Sequence, residues 1–281
     1  MNKWLGPGLA LLLLLTGCRA MLGNDTLRFY DVASGHEVGG PEAVERLRQA
    51  RLVLVGEQHT NVDHHQAQLA VIRALEQSGG PVAIGLEMFR RQSQAELDRW
   101  VQGQMDETQF IAAYQDNWSF DWALYRPIFR YAREHKIPMV GLNVDKGLTR
   151  QVAAHGYDTL SDEQKASLGP LTCDVTDDYR AYIREAFGAH AHGEMNFDHF
   201  CQAQLVWDTA MAANALKYLR QNPETRMVLL AGAGHAQKQG IPSQLIKRDF
   251  RQFIVVLPET PGSLDKGSVT SADADLLYLA P

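Results

Sequence analysis

Histidine and carboxylate side chains recur in this sequence at the ends of short apolar runs. Glu57 and His59 follow one such run. Glu87 follows a second run, and His235 follows a third. Both histidines close a Gly-x-x-His segment. Imidazole and carboxylate groups held together can act as general acids and bases or as ligands of a divalent metal ion. These residues are therefore candidates for a catalytic or metal-binding crevice.

Further polar residues are candidates for the same crevice. Asp208 falls on the apolar stripe of a segment with helical period, and an unpaired buried carboxylate costs free energy. We therefore expect Asp208 to be hydrogen-bonded, paired with a charge or functional. His64 and His65 follow the first Gly-x-x-His segment, and both are candidates to support the crevice from the layer behind it.

Purely structural roles are the alternative for each of these residues. Glu57 could cap the helix that follows it. Glu87 could pair with Arg90 or Arg91. A single histidine after a strand is often a hydrogen-bonded structural residue. The same Gly-x-x-His arrangement after two different strands favours a functional role.

The elements that must position these side chains alternate along the chain. Uninterrupted apolar runs predict strands that are buried on both faces, as in a parallel sheet. These runs are at residues 52–55, 82–86, 138–142, 227–231 and 253–257. Segments of helical period lie at residues 41–50, 63–78, 92–103, 123–135, 197–221 and 239–248. The alternation predicts an α/β fold with a mostly parallel central sheet flanked by helices.

The predicted sheet would bring the polar groups together, because ligands in open α/β folds bind outside the carboxyl ends of the strands. Neighbouring strands would place their polar ends side by side. Two intervals between strands, at about 88–137 and 145–222, exceed what one crossover needs and predict an inserted helical cap. We expect residues 41–281 to form a single α/β domain with these insertions.

Composition and motif content exclude several classes of protein. The 281 residues carry 27 Lys plus Arg against 33 Asp plus Glu, and no basic block is present, so a nucleic-acid partner is not expected. The absence of His-Glu-x-x-His and Gly-x-Ser-x-Gly motifs argues against zincin and serine-hydrolase chemistry. Gly232-x-Gly234 lacks the third glycine of a dinucleotide fingerprint.

The N-terminus is predicted to carry a signal peptide over residues 1–17, because its apolar run at residues 9–15 is short for a membrane-spanning helix. The run ends in Leu-Thr-Gly-Cys, which resembles the bacterial lipobox. That resemblance implies lipidation of Cys18 and a lipid-anchored segment at residues 18–40. Arg19, where retained lipoproteins carry Asp, implies sorting to the outer membrane, on its periplasmic or surface face. Several acyl chains would hold the domain at that membrane.

Two further cysteines, Cys173 and Cys201, remain beyond Cys18. An oxidising compartment would allow them to form one disulfide. Their spacing alone leaves open whether they lie close enough to do so.

Six longer motifs extend over nearly all of residues 50–258. They are residues 55–61 (VGEQHTN), 85–89 (GLEMF), 121–127 (DWALYRP), 141–143 (GLN), 204–208 (QLVWD) and 231–235 (AGAGH). Together they resemble the ChaN-like haem-binding lipoproteins, which are associated with iron uptake. The wider superfamily includes the Tiki proteases, the TraB proteins and the erythromycin esterases, which share the paired Gly-x-x-His motifs.

This resemblance implies ferric haem as the cofactor and a homodimer that encloses two cofacial haems. A tyrosine of one subunit would ligate the iron, and a histidine of the other subunit would support it. The resemblance also implies a partner in an outer-membrane haem receptor system.

Three tyrosines and three histidines are candidates for that ligand set. The tyrosines are Tyr125, Tyr179 and Tyr182, and the histidines are His190, His192 and His199. Tyrosine is one of the axial ligands that haem proteins use, and its anionic oxygen suits ferric iron. Arg126 follows the first tyrosine directly and could meet a propionate. Ordinary packing is the alternative for each tyrosine.

The sequence thus predicts a haem-binding lipoprotein of iron acquisition, with transport rather than catalysis as its role. The alternative is an esterase or protease that uses the Gly-x-x-His crevice, either with a divalent metal or by acid/base catalysis alone. A scaffold that needs neither haem nor the crevice is a third interpretation.

Overall fold

A mixed eight-stranded sheet lies at the centre of the fold. The computed structural model describes residues 27–190 and 196–279, and gives only the backbone of residues 189 and 190. In chain order the strands are β1 (Arg28–Asp31), β2 (His36–Gly39), β3 (Leu52–Glu57), β4 (Val82–Arg90), β5 (Met139–Asn143), β6 (Arg226–Gly232), β7 (Phe253–Pro258) and β8 (Leu276–Tyr278). Their order across the sheet is β2, β1, β8, β7, β3, β6, β4, β5.

The strands β3 to β8 all run parallel to one another, whereas β1 pairs antiparallel with both β2 and β8. Every residue of β3 is buried, and so are the first eight residues of β4. Strands that are covered on both faces read as continuous apolar runs, which is why the five predicted runs all fall in strands. The predicted α/β fold class is confirmed.

Helices cover both faces of the sheet. They are α1 (Gly40–Gln49), α2 (Val62–Gln77), α3 (Gln94–Val101), α4 (Glu107–Asn117), α5 (Trp122–Glu134), α6 (Lys146–His155), α7 (Asp162–Leu168), α8 (Asp177–His190), α9 (Phe197–Gln221), α10 (Ala233–Ala236) and α11 (Ile241–Ile246). Polar side chains cap many of their first turns, as Asn61 does for α2 and Asn196 does for α9. None of the helices in the described ranges is long and apolar enough to span a bilayer.

The two inserted segments pack in different ways. Helices α3, α4 and α5 contribute Trp100, Phe110 and Phe129 to the same apolar core that covers one face of the sheet. The second insertion builds an apolar cluster of its own between α6, α8 and the first half of α9, with Ile183 and Leu205 among its members. A separate cap therefore forms at the second insertion, while the first insertion extends the main core.

Gly56, the residue before Glu57 in β3, lets the chain after β6 approach closely. A Cβ atom at this position would lie 2.8 Å from Cδ2 of Leu257 and 3.2 Å from Cα of Ala233. Any side chain would push α10 away from β3. The glycine therefore holds the two Gly-x-x-His segments next to each other.

A disulfide joins Cys173 to Cys201, with their Cα atoms 5.7 Å apart. Cys173 lies in the irregular segment between α7 and α8, and Cys201 lies in the second turn of α9. The bond ties the approach to α8 onto the helix that carries Asp208.

Candidate functional site

The carboxyl ends of β3, β6 and β4 open into one cleft of about 1190 Å³. These three strands are consecutive neighbours in the sheet, so their polar ends are brought together as expected. The cleft is lined by Glu57, His59, Glu87 and His235 from the strand ends. Helix α8 covers it from the cap side.

Glu57 is the centre of the first buried cluster. Its Oε1 atom lies 2.8 Å from Nδ1 of His59 and accepts a 2.5 Å hydrogen bond from the hydroxyl of Tyr125. Its Oε2 atom forms an ion-pair contact of 2.9 Å with Nδ1 of His65, off the line of a regular hydrogen bond. The contact between Glu57 and His59 keeps Nδ1 of His59 directed at the carboxylate, which leaves Nε2 of His59 facing the cleft.

These contacts determine the charge of the cluster. Burial alone raises the pKa of Glu57, but the close contacts with the rings of His59 and His65 outweigh it and lower that pKa to about 2. Burial lowers the pKa of His59. The hydrogen bond between His59 and Glu57 and the charge of Glu87 outweigh burial, so the pKa of His59 is raised overall. The pKa of His65 is also raised, against burial, by Glu57. Glu57 is therefore ionised beneath two imidazoles that favour their charged form.

Asp208 is the centre of the second buried cluster, and its side chain is fully buried in the middle of α9. Its Oδ1 atom lies 2.7 Å from Nδ1 of His235, and its Oδ2 atom accepts a 2.8 Å hydrogen bond from the hydroxyl of Tyr179. Burial lowers the pKa of His235, but the charges of Asp208 and Glu87 raise it to about 9. The expectation that Asp208 is hydrogen-bonded and paired is confirmed.

Glu87 lies between the two clusters. Its Oε2 atom accepts a 2.6 Å hydrogen bond from the backbone N–H of Gly232, and its Oε1 atom is 3.9 Å from Nε2 of His235. Of the two arginines named as alternative partners, Arg90 contacts Asp116 and Asn117 and Arg91 contacts Gln94 instead. Glu87 therefore faces the histidines of the cleft.

His64 lies behind the first Gly-x-x-His turn rather than in the cleft. Its Nδ1 atom accepts a 2.9 Å hydrogen bond from the backbone N–H of Gln58, and burial lowers the pKa of its ring. The neutral imidazole supports the turn that carries His59, as predicted for a residue of the layer behind.

Aromatic side chains form the walls of the cleft beside the histidines. The ring of His59 lies 5.0 Å from Trp118 and 4.7 Å from Phe120, and the ring of His235 lies 5.9 Å from Trp207. These aromatic residues were not predicted as site residues. Trp207 lies within the motif at residues 204–208, and Trp118 and Phe120 directly precede the motif at residues 121–127, which was the signal that could have identified them.

The three candidate tyrosines occupy different environments. Tyr125 is fully buried and Tyr179 is 3% exposed, and their hydroxyls donate to Glu57 and Asp208. Tyr182 is 45% exposed, and its hydroxyl donates no hydrogen bond to any residue that the structure describes. A methyl group on Gly234 would collide with this hydroxyl, so Tyr182 reaches across the cleft to the second Gly-x-x-His turn.

The candidate histidines of the cap are only partly described. His190 ends α8 with its side chain outside the described atoms, and His192 lies outside the described residues. His199 packs its ring against Gly156, where an added Cβ atom would lie 2.9 Å from Nε2 of the histidine. His199 is not among the residues that line the cleft.

No set of three His, Cys, Asp or Glu side chains is arranged to hold a metal ion in the part of the chain that the structure describes. The imidazoles of His59 and His235 instead direct one nitrogen each to a carboxylate. The arrangement can hold and transfer protons, since charged imidazoles and a carboxylate face the same space.

Comparison with known proteins identifies the family. Residues 43–245 match the family model described as haem-binding uptake, Tiki superfamily, ChaN. The chain belongs to this ChaN family. The family-like motifs that carry the glutamates and histidines of the cleft lie inside the matched region.

Solved structures and a curated relative are similar to this ChaN family member. The Campylobacter jejuni ChaN structure, described as showing cofacial haem binding, matches with a TM-score of 0.69 at 19% identity, over 90% of this chain and 96% of that one. A mutant erythromycin esterase in its open conformation matches with a TM-score of 0.51 at 16% identity, over 84% and 78% of the two chains. The chloroplastic protein RETICULATA-RELATED 5 of Arabidopsis thaliana is 24% identical over 88% of this chain, which spans 37% of that protein.

The cleft of this ChaN family member has features that suit haem. Its volume of about 1190 Å³ exceeds the roughly 300–1,000 Å³ of most ligand pockets and leaves room for a large ligand. Trp118, Phe120 and Trp207 offer apolar faces for a porphyrin, and Tyr182 offers a phenol that donates no hydrogen bond to a described residue. Arg90 and Lys146 line the same cleft and supply positive charge. Arg126, the cation suggested by the sequence, is not among the lining residues.

Proposed function

We propose that this protein binds ferric haem in the cleft, that the phenol oxygen of Tyr182 would bind the iron, and that the protein serves haem-iron acquisition. The observation that carries the proposal is the exposed Tyr182 side chain, which reaches over Gly234 at an aromatic cleft in a member of a haem-binding family. Tyr125 and Tyr179 are less suited, because each would have to give up a hydrogen bond to a buried carboxylate.

Ligation requires Tyr182 to lose its proton. Burial of the hydroxyl and the negative charges of Asp208 and Glu87 raise the pKa of Tyr182, so the free protein keeps this phenol neutral at pH 7. Ferric haem supplies the Lewis acidity that favours the phenolate. His235 lines the same cleft, and its positive charge below pH 9 would offset the charge of a phenolate held there.

The propionates would be held by the cations of the cleft. Lys146 forms no ion pair with a described residue, whereas Arg90 is already in contact with Asp116. Lys146 is therefore the better anchor for a carboxylate, and Arg90 would contribute its remaining N–H groups. Charge at these two positions would orient the porphyrin relative to Tyr182.

A hemin titration tests the tyrosine. Wild-type protein is expected to bind hemin saturably with a tyrosinate-type absorption spectrum. Tyr182→Phe is expected to lose that spectrum and at least about tenfold in affinity, or roughly 1.4 kcal/mol. Tyr30→Phe, at a tyrosine on β1 outside the cleft, is the matched control and should behave like wild type.

Two further variants sharpen this test. Tyr125→Phe and Tyr179→Phe should retain the tyrosinate spectrum if Tyr182 is the ligand. A wild-type spectrum from Tyr182→Phe, combined with its loss in either of the other two, would move the assignment to that tyrosine. A wild-type spectrum in all three would exclude tyrosine ligation.

The cellular setting is part of the proposal. A lipid on Cys18 would anchor the protein to the outer membrane, and a homodimer would enclose two haems, with a cap histidine of one subunit supporting the haem held by the tyrosine of the other. The support for the anchor is the lipobox-like Leu-Thr-Gly-Cys segment. Haem would be passed to or from an outer-membrane receptor system.

Acid/base hydrolysis is the second candidate, because two histidine–carboxylate pairs flank Glu87 in one cleft. His235 would act as the acid, since its raised pKa keeps it charged at pH 7, and Glu87 would accept a proton from water. A screen of ester and peptide substrates together with metal analysis tests this activity. Turnover that is lost in Glu87→Gln would support it, and turnover that is absent or unchanged would contradict it.

A further inference from the structure

The Cys173–Cys201 disulfide lies at the entry to α8. Residues 169–176 have no regular secondary structure and lead directly into this helix. The carbonyl oxygen of Cys173 accepts a 2.8 Å hydrogen bond from Nη2 of Arg180 in the first turn of α8. The disulfide therefore fixes the beginning of α8 to α9 through one covalent bond and one hydrogen bond.

The first half of α8 carries both tyrosines that reach the cleft. Tyr179 donates its hydroxyl to Asp208, and Tyr182 lies parallel to it at a ring-centroid distance of 6.0 Å. Tyr182 also extends over Gly234. A shift at the beginning of α8 would therefore displace the proposed iron ligand.

From Ile183 onward, α8 is held by apolar packing that does not need the disulfide. Ile183 is 1% exposed, and the ring of Phe187 packs edge-on against Phe200 at 5.4 Å. Cys201 is fully buried in the same apolar cluster. Because a free thiol behaves as a small apolar group, this cluster can keep its packing when the disulfide is opened.

The two sulfur atoms differ in access. Cys173 lies at intermediate exposure on the irregular segment, whereas Cys201 is enclosed. An external thiolate can therefore approach Sγ of Cys173 more readily than Sγ of Cys201.

We propose that the Cys173–Cys201 disulfide is a redox latch that holds Tyr182 at the cleft and releases it on reduction, an inference that rests on the proposed haem site. A dithiol reductant attacks Sγ of Cys173 as a thiolate, forms a mixed disulfide and expels the thiolate of Cys201. Its second thiol then attacks the mixed disulfide and expels the thiolate of Cys173. The two electrons come from the dithiol, which leaves as its own disulfide, and the two protein thiolates take up protons.

Hemin affinity in the two redox states tests the latch. Purified protein is titrated oxidised, and again after reduction with dithiothreitol that is removed by gel filtration under nitrogen. The oxidised protein is expected to bind hemin at least about tenfold more tightly, which corresponds to roughly 1.4 kcal/mol. Reoxidation should restore the affinity. The double variant Cys173→Ala/Cys201→Ala should match the reduced protein, and Thr172→Ala, at the exposed neighbouring residue, should match the oxidised wild type.

Amide hydrogen exchange separates the latch from the haem proposal. Reduction is expected to accelerate exchange in the first half of α8 and to leave the central strands unchanged, whether or not hemin is present. Equal exchange in α8 in both redox states would overturn the latch, and so would equal hemin affinities. Faster exchange without hemin binding in either state would retain the latch as a conformational device and reject the haem site. Global loss of protection would show that the disulfide only stabilises the fold.

Discussion

At the residue scale, the site depends on two carboxylates buried beneath histidines. Glu57 and Asp208 each fix one nitrogen of a cleft imidazole and also accept a tyrosine hydroxyl. An ionised carboxylate is tolerated at such depth because charged and hydrogen-bonding partners surround it. The charge of the cleft histidines is thus set largely by the carboxylates that contact them.

The first prediction concerns Glu57 and acid stability. Its folded-state pKa of about 2 lies below the unfolded value, so its contribution is fully present above the unfolded pKa and is lost as pH falls from about 5 towards 2. Glu57→Gln is expected to lower the free energy of unfolding at pH 7 by on the order of 2–3 kcal/mol and to flatten its acid dependence.

Urea unfolding between pH 7 and pH 3 measures this effect. Glu45→Gln, at an exposed glutamate of α1, is the matched control and should change the free energy of unfolding by less than about 0.5 kcal/mol. A Glu57→Gln variant that unfolds in parallel with wild type over the whole pH range would contradict the assigned role.

The second prediction concerns the charge of His235. Its pKa of about 9 is raised above the unfolded value, so the stability it adds is present below the unfolded pKa and is lost as pH rises through about 9. Asp208→Asn is expected to lower the pKa of His235 by about one unit or more, because it removes the negative charge that most strongly opposes the effect of burial on this ring. Side-chain NMR titration of the histidines measures this value. An unchanged titration of His235 in Asp208→Asn, compared with the exposed-site control Asp198→Asn, would show that another group holds its charge.

The sequence predicted part of this site. His59, His235, Glu87 and Asp208 were identified because a strand end or a helical stripe shows locally where each one lies. The role of Tyr125 as a partner of Glu57 was not predicted, since 68 residues separate the two and helix packing alone brings them together. Long-range contacts of this kind have no local sequence signal.

At the element scale, the position of α8 relative to β6 determines what the cleft can hold. The third prediction tests this with Gly234→Ala. The added methyl group would collide with the Tyr182 hydroxyl, so we expect Tyr182 to move, hemin affinity to fall at least about tenfold, and the free energy of unfolding to fall by about 1–3 kcal/mol. Hemin titration and urea unfolding measure the two effects.

Gly188→Ala is the matched control for that substitution. Gly188 lies within α8, and apart from its own helix and chain neighbours no atom of the described residues lies within 4 Å of a Cβ atom added there. Alanine at a helical position should raise the free energy of unfolding by about 0.5–1 kcal/mol and leave hemin affinity unchanged. If both variants bound hemin equally well, contact between Tyr182 and Gly234 would be irrelevant to binding.

Elements with one strong period were predicted well. The buried runs became β3 to β7, and the 25-residue helix α9 matches its predicted bounds of 197–221. The hairpin of β1 and β2 was not predicted, because its strands are four residues long and β2 is largely exposed, which leaves no clear alternation. The sequence also could not show that the first insertion shares the main core. The hydrophobic period of a helix indicates which of its faces is buried but not which element packs against that face.

At the scale of the whole molecule, the proposed function needs two copies of the chain. The fourth prediction is that hemin converts the protein to a dimer. Sedimentation velocity should show the larger species appearing in proportion to bound hemin, because the ligand binds the assembled state and stabilises it by mass action. With hemin added, Tyr182→Phe should keep the sedimentation profile of the hemin-free protein, and Tyr30→Phe should form the dimer as wild type does. A dimer fraction independent of hemin would contradict linkage between haem and assembly.

The short segment between Cys18 and β1 limits how far the domain can lie from a lipid anchor. Leu27 directly precedes β1, which is the second strand from one edge of the sheet, and residues 19–26 lie between Leu27 and Cys18. The nine residue steps from Cys18 to Leu27 extend at most about 30 Å. If Cys18 carries the lipid, Leu27 stays within about that distance of the membrane surface. The distance of the cleft from the bilayer would then be limited by this short tether and by the size of the domain, so lengthening residues 18–26 should let the cleft reach partners farther from the membrane without altering the cleft itself.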